Sequence, residues 1–465
     1  MELHQLSVRT LSKQLITRNI SAYEVVTYFL SRIDKIDPGI NSIIARNDDA
    51  SLVSARLIDE KRARREVLHP LAGIPFAVKD LEDAIGYVTT YGSKYFSNPK
   101  PAMANSRLVQ RFSDLGAIPI AKTNTSEFGW KATTDNALFG HTRNPYAQDR
   151  TPGGSSGGTA AGVAAGIVPF GTASDGGGSI RIPAACCAIA GLKTSVGQVP
   201  GGIQHPPNWW ELATAGPMAR TVLDTAWLYD IAIQHDDRDM LSALEKTNDW
   251  SPEATVPDYS TKIAVSRNLG YWTTDHEILL HFDQLIDFLD NAGFEVIDIP
   301  QIFSEPPYYS WEKLASAYLA RSFGHLVPSE KFSLLETGLQ NLILQGSRMS
   351  ATDFVRSLDR AWELSSAYFE TLGEATVLIT PTTAGIAPVL DSMPLINSQE
   401  TPDWVSYTSF ANLLRIPALN VPIGLSHDNV PISIQIHGRR YREAEILRLG
   451  AFIERHNHIK PPDCF

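Results

Sequence analysis

Two glycine-serine loops close together constrain this chain more than any other feature. The first reads Thr151-Pro-Gly-Gly-Ser-Ser-Gly-Gly-Thr159 and the second Asp175-Gly-Gly-Gly-Ser179-Ile-Arg-Ile-Pro183. Glycines permit positive φ and close backbone approach at an entropic cost, so such loops suit inward-pointing amides and hydroxyls around a ligand. The apolar segment 160–170 between them has to be buried, which argues against flexible linkers. A phosphate cradle would need Gly-x-x-x-x-Gly-Lys-Ser/Thr, and no lysine follows either loop in that way; Gly176-x-Gly178 also lacks a third glycine. Gly153-Gly-Ser155-Ser-Gly157 matches Gly-x-Ser-x-Gly as a string. The serine-hydrolase elbow, however, needs a buried strand just before it, and Gln148-Asp-Arg-Thr-Pro152 is polar and carries a proline.

With 465 residues, 43% apolar and 20% charged, the chain can bury a large core. Lys plus Arg number 40 against 51 Asp plus Glu, a net charge of -11, opposite to what sequence-independent nucleic-acid binding requires. Cys186, Cys187 and Cys464 fit neither a disulfide framework nor a metal-ligand spacing. The twelve histidines show no His-x-x-x-His or His-Glu-x-x-His pattern, so no metal and no cofactor are expected. The start lacks a secretory pattern and no run of 18 apolar residues occurs, so a cytoplasmic protein away from membranes is expected.

Periodicity sets the fold class. Residues 1–65 read as helices, with a capping box at Ser21-Ala-Tyr-Glu24; the mixed-sign run 59–65 reads as a solvated face. A short buried strand at 76–78, a helix at 107–115 and a strand at 117–121 form one strand-helix-strand unit. A second comprises 262–265, a helix opened by Thr274-x-x-Glu277 and closed by Gly293, and 294–299. Such alternation predicts an α/β protein with helices on both faces of the sheet. Residues 245–258 read as a linker or surface loop and 300–370 as helical. Strands at 377–379 and 432–436 and a helix at 443–455 close the chain. The aromatic groups at Tyr308-Tyr309, Trp311 and Trp209-Trp210 are expected to serve mainly as packing, with a pocket wall as the alternative.

Taken with Gly73-Ile-Pro-Phe-Ala-Val-Lys79-Asp80 upstream and Gly191-Leu-Lys-Thr, Gly216-Pro-Met-Ala-Arg220, Asn412, Pro417-Ala418 and Gln435 downstream, the two loops resemble the amidase signature family over nearly the whole chain. The resemblance implies a single domain over 1–465, built on one large mixed, mostly parallel β-sheet covered by helices on both faces. Its parts are a helical segment at about 1–65, a signature core at about 70–220 and a variable, substrate-side helical region at about 300–370. It also implies a Ser, cis-Ser, Lys triad: Ser179 as nucleophile, Ser155 as bridging serine and Lys79 as base. Ser156 is then a supporting partner, the N–H groups of Gly176, Gly177, Gly178 and Ser179 form the oxyanion hole, and Asp175 and Arg181 brace the loop. Gly129, Trp130 and Gly154 are the positions expected to meet substrate.

The chemistry can be argued independently. A serine hydroxyl needs a base, and a lysine serves only when neutral. Bringing its pKa from ~10.4 to near 7 requires ~4–5 kcal/mol of desolvation or nearby positive dipoles. Lys79, ending an apolar strand, suits this, because the neighbouring Asp80 should point to the opposite face. Lys122 is the rival lysine. The reading is therefore hydrolysis of a small-molecule carboxamide to acid and ammonia or amine through a serine acyl-enzyme, with a homodimer allowed. The alternative is the glutaminase (A) subunit of a tRNA-dependent amidotransferase, disfavoured by Val405 at the position where that subunit usually carries an acidic residue. An esterase or a non-catalytic binding protein follows behind. Arg415 stands where the family commonly has glycine, either reaching a carboxylate or facing solvent, and Gly176 replaces a commoner larger residue.

Overall fold

The computed structural model describes residues 2–96, 100–201, 209–243, 256–457 and 459–465. Most of the expected linker at 245–258 lies outside these residues, as do 205–208. Among the described residues, eleven strands form one sheet: β1 (Ile43–Arg46), β2 (Pro75–Lys79), β3 (Ile118–Thr123), β4 (Phe170–Asp175), β5 (Ala190–Lys193), β6 (Thr214–Ala219), β7 (Lys262–Val265), β8 (Glu295–Asp298), β9 (Val377–Pro381), β10 (Ala418–Leu425) and β11 (Pro431–His437). Their spatial order is β1-β3-β2-β4-β6-β5-β10-β11-β9-β7-β8.

The sheet is mixed, but the expected parallel majority is corrected. Parallel pairing is confined to β2 with β3 and β4, and to β7 with β8 and β9. The pairs β1·β3, β4·β6, β6·β5, β5·β10, β10·β11 and β11·β9 are antiparallel. The parallel pairs include the two strand-helix-strand units legible in the sequence, where a crossover helix returns the chain in the same direction. The middle is built differently: β10 and β11 form a hairpin, and β4, β5 and β6 are rich in small residues that carry no alternation signal.

Helix α1 (Ala22–Ile36) starts at the capping box of Ser21 and Glu24, with both reciprocal hydrogen bonds formed. It is followed by α2 (Asp48–Ala63), α3 (Arg107–Asp114), α4 (Gly157–Ala164), α5 (Arg181–Cys186) and α6 (His276–Asn291). The α6 cap differs from expectation: Asp275, not Thr274, accepts the N–H of Glu277. The Thr274 hydroxyl is already engaged with Arg267 O at 2.7 Å and Tyr407 Oη at 2.6 Å. The expected helical region at 300–370 resolves into α7 (Tyr308–Phe323), α8 (Thr337–Ser347) and most of α9 (Ala351–Leu372), and α10 (Glu443–His456) closes the chain.

Helices cover both faces because the strands alternate between two cores. Ile263 and Val265 of β7 and Val377 and Ile379 of β9 pack with Phe282 of α6 and Leu447 of α10. The intervening Ala264 and Leu378 face a second core with Leu314 of α7 and Tyr368 of α9. Each such buried aliphatic or aromatic side chain contributes about 1.5–3 kcal/mol. A third cluster, including Phe128, Phe323, Leu339 and Ile343, ties α7 and α8 to the turn Glu127–Gly129. Among the described residues no helix is long and apolar enough to cross a membrane.

Candidate active site

Strand β2 is buried at all five positions between β3 and β4, and Lys79 ends it. The Lys79 N–H donates to Thr172 Oγ1 of β4 (3.0 Å), while Nζ donates to Ser155 Oγ (2.8 Å), Ser156 Oγ (2.7 Å) and Ser174 Oγ (3.1 Å). Burial pushes the amine down to about 7, although Glu82 and Asp175 pull it back toward the charged form. Ser156 is the N-cap residue of α4, so the amine also sits at the positive end of a helix, which disfavours a cation.

Ser155 follows a cis peptide from Gly154. No strand immediately precedes it, in agreement with the polar 148–152 segment. Gly129 approaches its hydroxyl closely: φ is +73°, and a Cβ there would lie 3.2 Å from Ser155 Oγ and 2.9 Å from Leu81 Cδ1. Ser179 sits between β4 and α5, and its carbonyl accepts the N–H of Ser156 at 3.3 Å, which joins the two loops. The structure thus brings Lys79 and Ser155 into contact. Ser179 stands beside Ser155 on the wall of one cavity of about 640 Å³, without a direct hydrogen bond between their hydroxyls in this conformation.

A fully buried ion pair holds the second loop. Arg181 donates through Nε (2.9 Å) and Nη2 (3.0 Å) to Asp175, and further to Thr408 O, Gln435 Oε1 and Asn412 Oδ1 at 2.7–2.9 Å. Asn412 Nδ2 returns to the Asp175 carboxylate at 2.9 Å. Burial alone would raise the Asp175 carboxyl, but the Arg181 charge and hydrogen bonds hold it at about 2. Asp175 Oδ1 also accepts the N–H of Gly178 at 2.7 Å. That amide, expected from the sequence to be an oxyanion donor, is therefore already engaged by the carboxylate.

The sequence matches the Amidase family over residues 24–447. The chain belongs to this amidase family. It is 30% identical to an acylamidase of Rhodococcus erythropolis, covering 97% of this chain and 95% of that protein. It is 32% identical to the A-type subunit of a glutamyl-tRNA(Gln) amidotransferase from Desulforapulum autotrophicum, covering 98% of each. Among solved structures, a bacterial aryl acylamidase of the amidase signature enzymes superposes with a TM-score of 0.91 at 26% identity, over 98% of this chain and 97% of that one.

In this amidase the cavity above Ser155 and Ser179 is walled by aromatic groups. Gly154 and Trp130 line it; the Trp130 indole N–H donates to Glu336 at 2.8 Å and its ring lies against Gly338 of α8. Tyr308, Trp311 and Trp209 line it as well, so here the alternative of a pocket wall holds rather than the expected packing role: α7 presents one side to the second core and the next to the cavity. Trp210 and the exposed Tyr309 stay out of it. Lys122 is paired with Asp80 at 3.2 Å and does not reach the cavity. Arg415 pairs with Glu211 at 3.2 Å and lines no part of it either. Sequence reasoning missed Thr172 and Ser174, whose two-residue spacing on β4 puts both on the face of Lys79; that period-two signal could have found them. Nothing local flagged Thr408.

Proposed function

We propose that this chain is a free-standing amidase that converts a carboxamide to a carboxylic acid and ammonia or an amine. The observation that carries the reading is the buried Lys79 amine, held by serine hydroxyls and by no carboxylate. Such an amine is neutral over much of the range near pH 7 and accepts a proton. Ser179 Oγ forms a bond to the amide carbon while its proton passes to Ser155 and the Ser155 proton passes to Lys79. The carbonyl electron pair moves to oxygen, where the loop N–H groups meet it. As the oxyanion collapses the C–N bond breaks, and the proton returns from Lys79 through Ser155 to the leaving nitrogen. Water then adds to the acyl-enzyme along the same relay. The relay needs the Ser155–Ser179 link to close when substrate binds, as catalytic hydrogen bonds commonly tighten only in the complex.

The cavity volume and its tryptophans suit an amide with a flat apolar body. The test is phosphonylation by a serine-directed fluorophosphonate, in which the serine oxygen displaces fluoride at phosphorus: the parent is labelled at Ser179, and Ser179→Ala is neither labelled nor active. Labelling of the Ser179→Ala variant would move the nucleophile elsewhere. A second reading, the glutaminase subunit of a tRNA-dependent amidotransferase, is favoured by Glu312 and Asp403 on the cavity wall, carboxylates able to receive an α-ammonium group. Val405 on the same wall speaks against it. Glutamine hydrolysis that appears only with a second subunit would establish the second reading over the first.

A further inference from the structure

Three consecutive glycines, 176–178, link Asp175 to Ser179. A chain this free to rotate loses much conformational entropy when fixed, and its N–H groups stabilise charge only once they are fixed. Asp175 settles the Gly178 N–H. The remaining restraint comes from outside the two glycine-serine loops. Trp311 Nε1 on α7 donates to Gly176 O at 2.7 Å, and Thr408 Oγ1 donates to Gly177 O at 2.6 Å. A planar trans peptide carries its C=O and the following N–H on opposite sides. Anchoring Gly176 O on the indole therefore turns the Gly177 N–H away from α7. The fit depends on Gly177 having no side chain, because a Cβ there would lie 2.4 Å from Trp311 Cζ2. Trp209 stacks on Trp311 with centroids 6.1 Å apart and planes 14° apart, and its ring lies 3.4 Å from where a Gly176 Cβ would be. Glycine at 176 thus leaves the Trp209 ring packed directly over the loop, where a Cβ would already be in contact with it.

We propose that Trp311 is a positioning residue for catalysis, its indole N–H holding the Gly176–Gly177 peptide so that the Gly177 N–H stays aimed at the substrate oxygen as negative charge develops. This rests on the reading of Ser179 as nucleophile. One side chain then serves both as cavity wall and as the anchor of the charge-stabilising loop.

The experiment removes the N–H and keeps an aromatic ring. In Trp311→Phe, kcat falls about 10²-fold, the range for losing one oxyanion donor, while KM stays within about threefold. Affinity for an arylboronic acid, which forms a tetrahedral adduct with serine, falls with kcat; affinity for the product carboxylate does not. A merely structural role would lower all of these together. Should Trp311→Phe not fold, incorporation of β-(3-benzothienyl)alanine at position 311 replaces the N–H with sulfur in nearly the same shape. A kcat within about twofold of the parent, or unchanged boronate affinity, overturns the inference while leaving Ser179 in place. A parent in which the fluorophosphonate labels no Ser179 at all overturns both.

Discussion

Lys79 and Lys122 sit on neighbouring strands, both wholly buried, yet their surroundings differ in one respect that decides their chemistry. Lys122 meets the Asp80 carboxylate at 3.2 Å, together with Glu82 O and the Thr89 hydroxyl. Lys79 meets three serine hydroxyls. Burial lowers both amines, but Asp80 pulls Lys122 back toward its charged form. The sheet makes the separation: Val78, not Lys79, is the register partner of Lys122, and successive side chains on a strand leave on opposite faces. Asp80 consequently points to Lys122 and Thr90, away from the serines. Lys193 completes the comparison. Burial pushes it to about 7 as well, but it donates only to Thr194 O and Ile416 O and lines no part of the cavity. A lowered pKa alone does not mark a base; what sets the proposed base Lys79 apart is that its lowered amine also meets hydroxyls at the cavity.

The comparison can be broken most directly at the amine. Lys79→Ala should reduce amide turnover by about 10⁴-fold or more with the fold retained, measured by ammonia release and near-UV circular dichroism. Activity within about tenfold of the parent would end its assignment as base. Lys122→Met should do the reverse. It leaves the buried Asp80 without its cation and costs about 3–5 kcal/mol of stability in denaturant melts, while turnover per folded molecule stays near the parent. Adding Asp80→Asn should restore part of that loss.

The smallest effect is the pH response. As the proposed base, Lys79 has to be unprotonated, so kcat/KM should rise through about pH 7 and fall about tenfold per unit well below it. The same shift opposes folding at low pH. Between about 7 and the ordinary 10.5 the unfolded chain binds more protons at this site than the folded one, so stability rises with pH across that window. Lys193 adds to the stability slope and not to the activity limb, so Lys193→Met should flatten only the former.

Much of the outer architecture was legible. The capping box at Ser21, the strand-helix-strand units around α3 and α6 and the closing helix rest on local periodicity, and local periodicity survives folding. The antiparallel middle of the sheet was not legible, because β4, β5 and β6 carry glycines, alanines and small polar residues with no apolar alternation to read. The Thr274 cap failed for a tertiary reason: Tyr407, distant in sequence, engaged its hydroxyl. Whether Trp311 and Trp209 pack or wall a pocket stayed open in the sequence, since an aromatic residue gives no local sign of whether its neighbour is a core or a void.

The sequence by itself pointed to the reaction class, through the resemblance to the amidase family that the two glycine-serine loops and the Lys79 motif carry in residue type and order. Only the tertiary structure decided which buried lysine meets hydroxyls, which loop amides remain free and which tryptophans wall the cavity. Those outcomes depend on the strand register and on contacts such as Trp311 with Gly176 and Asp175 with Arg181 and Asn412. Partners as far apart as 135 and 237 residues along the chain leave no local imprint at either end.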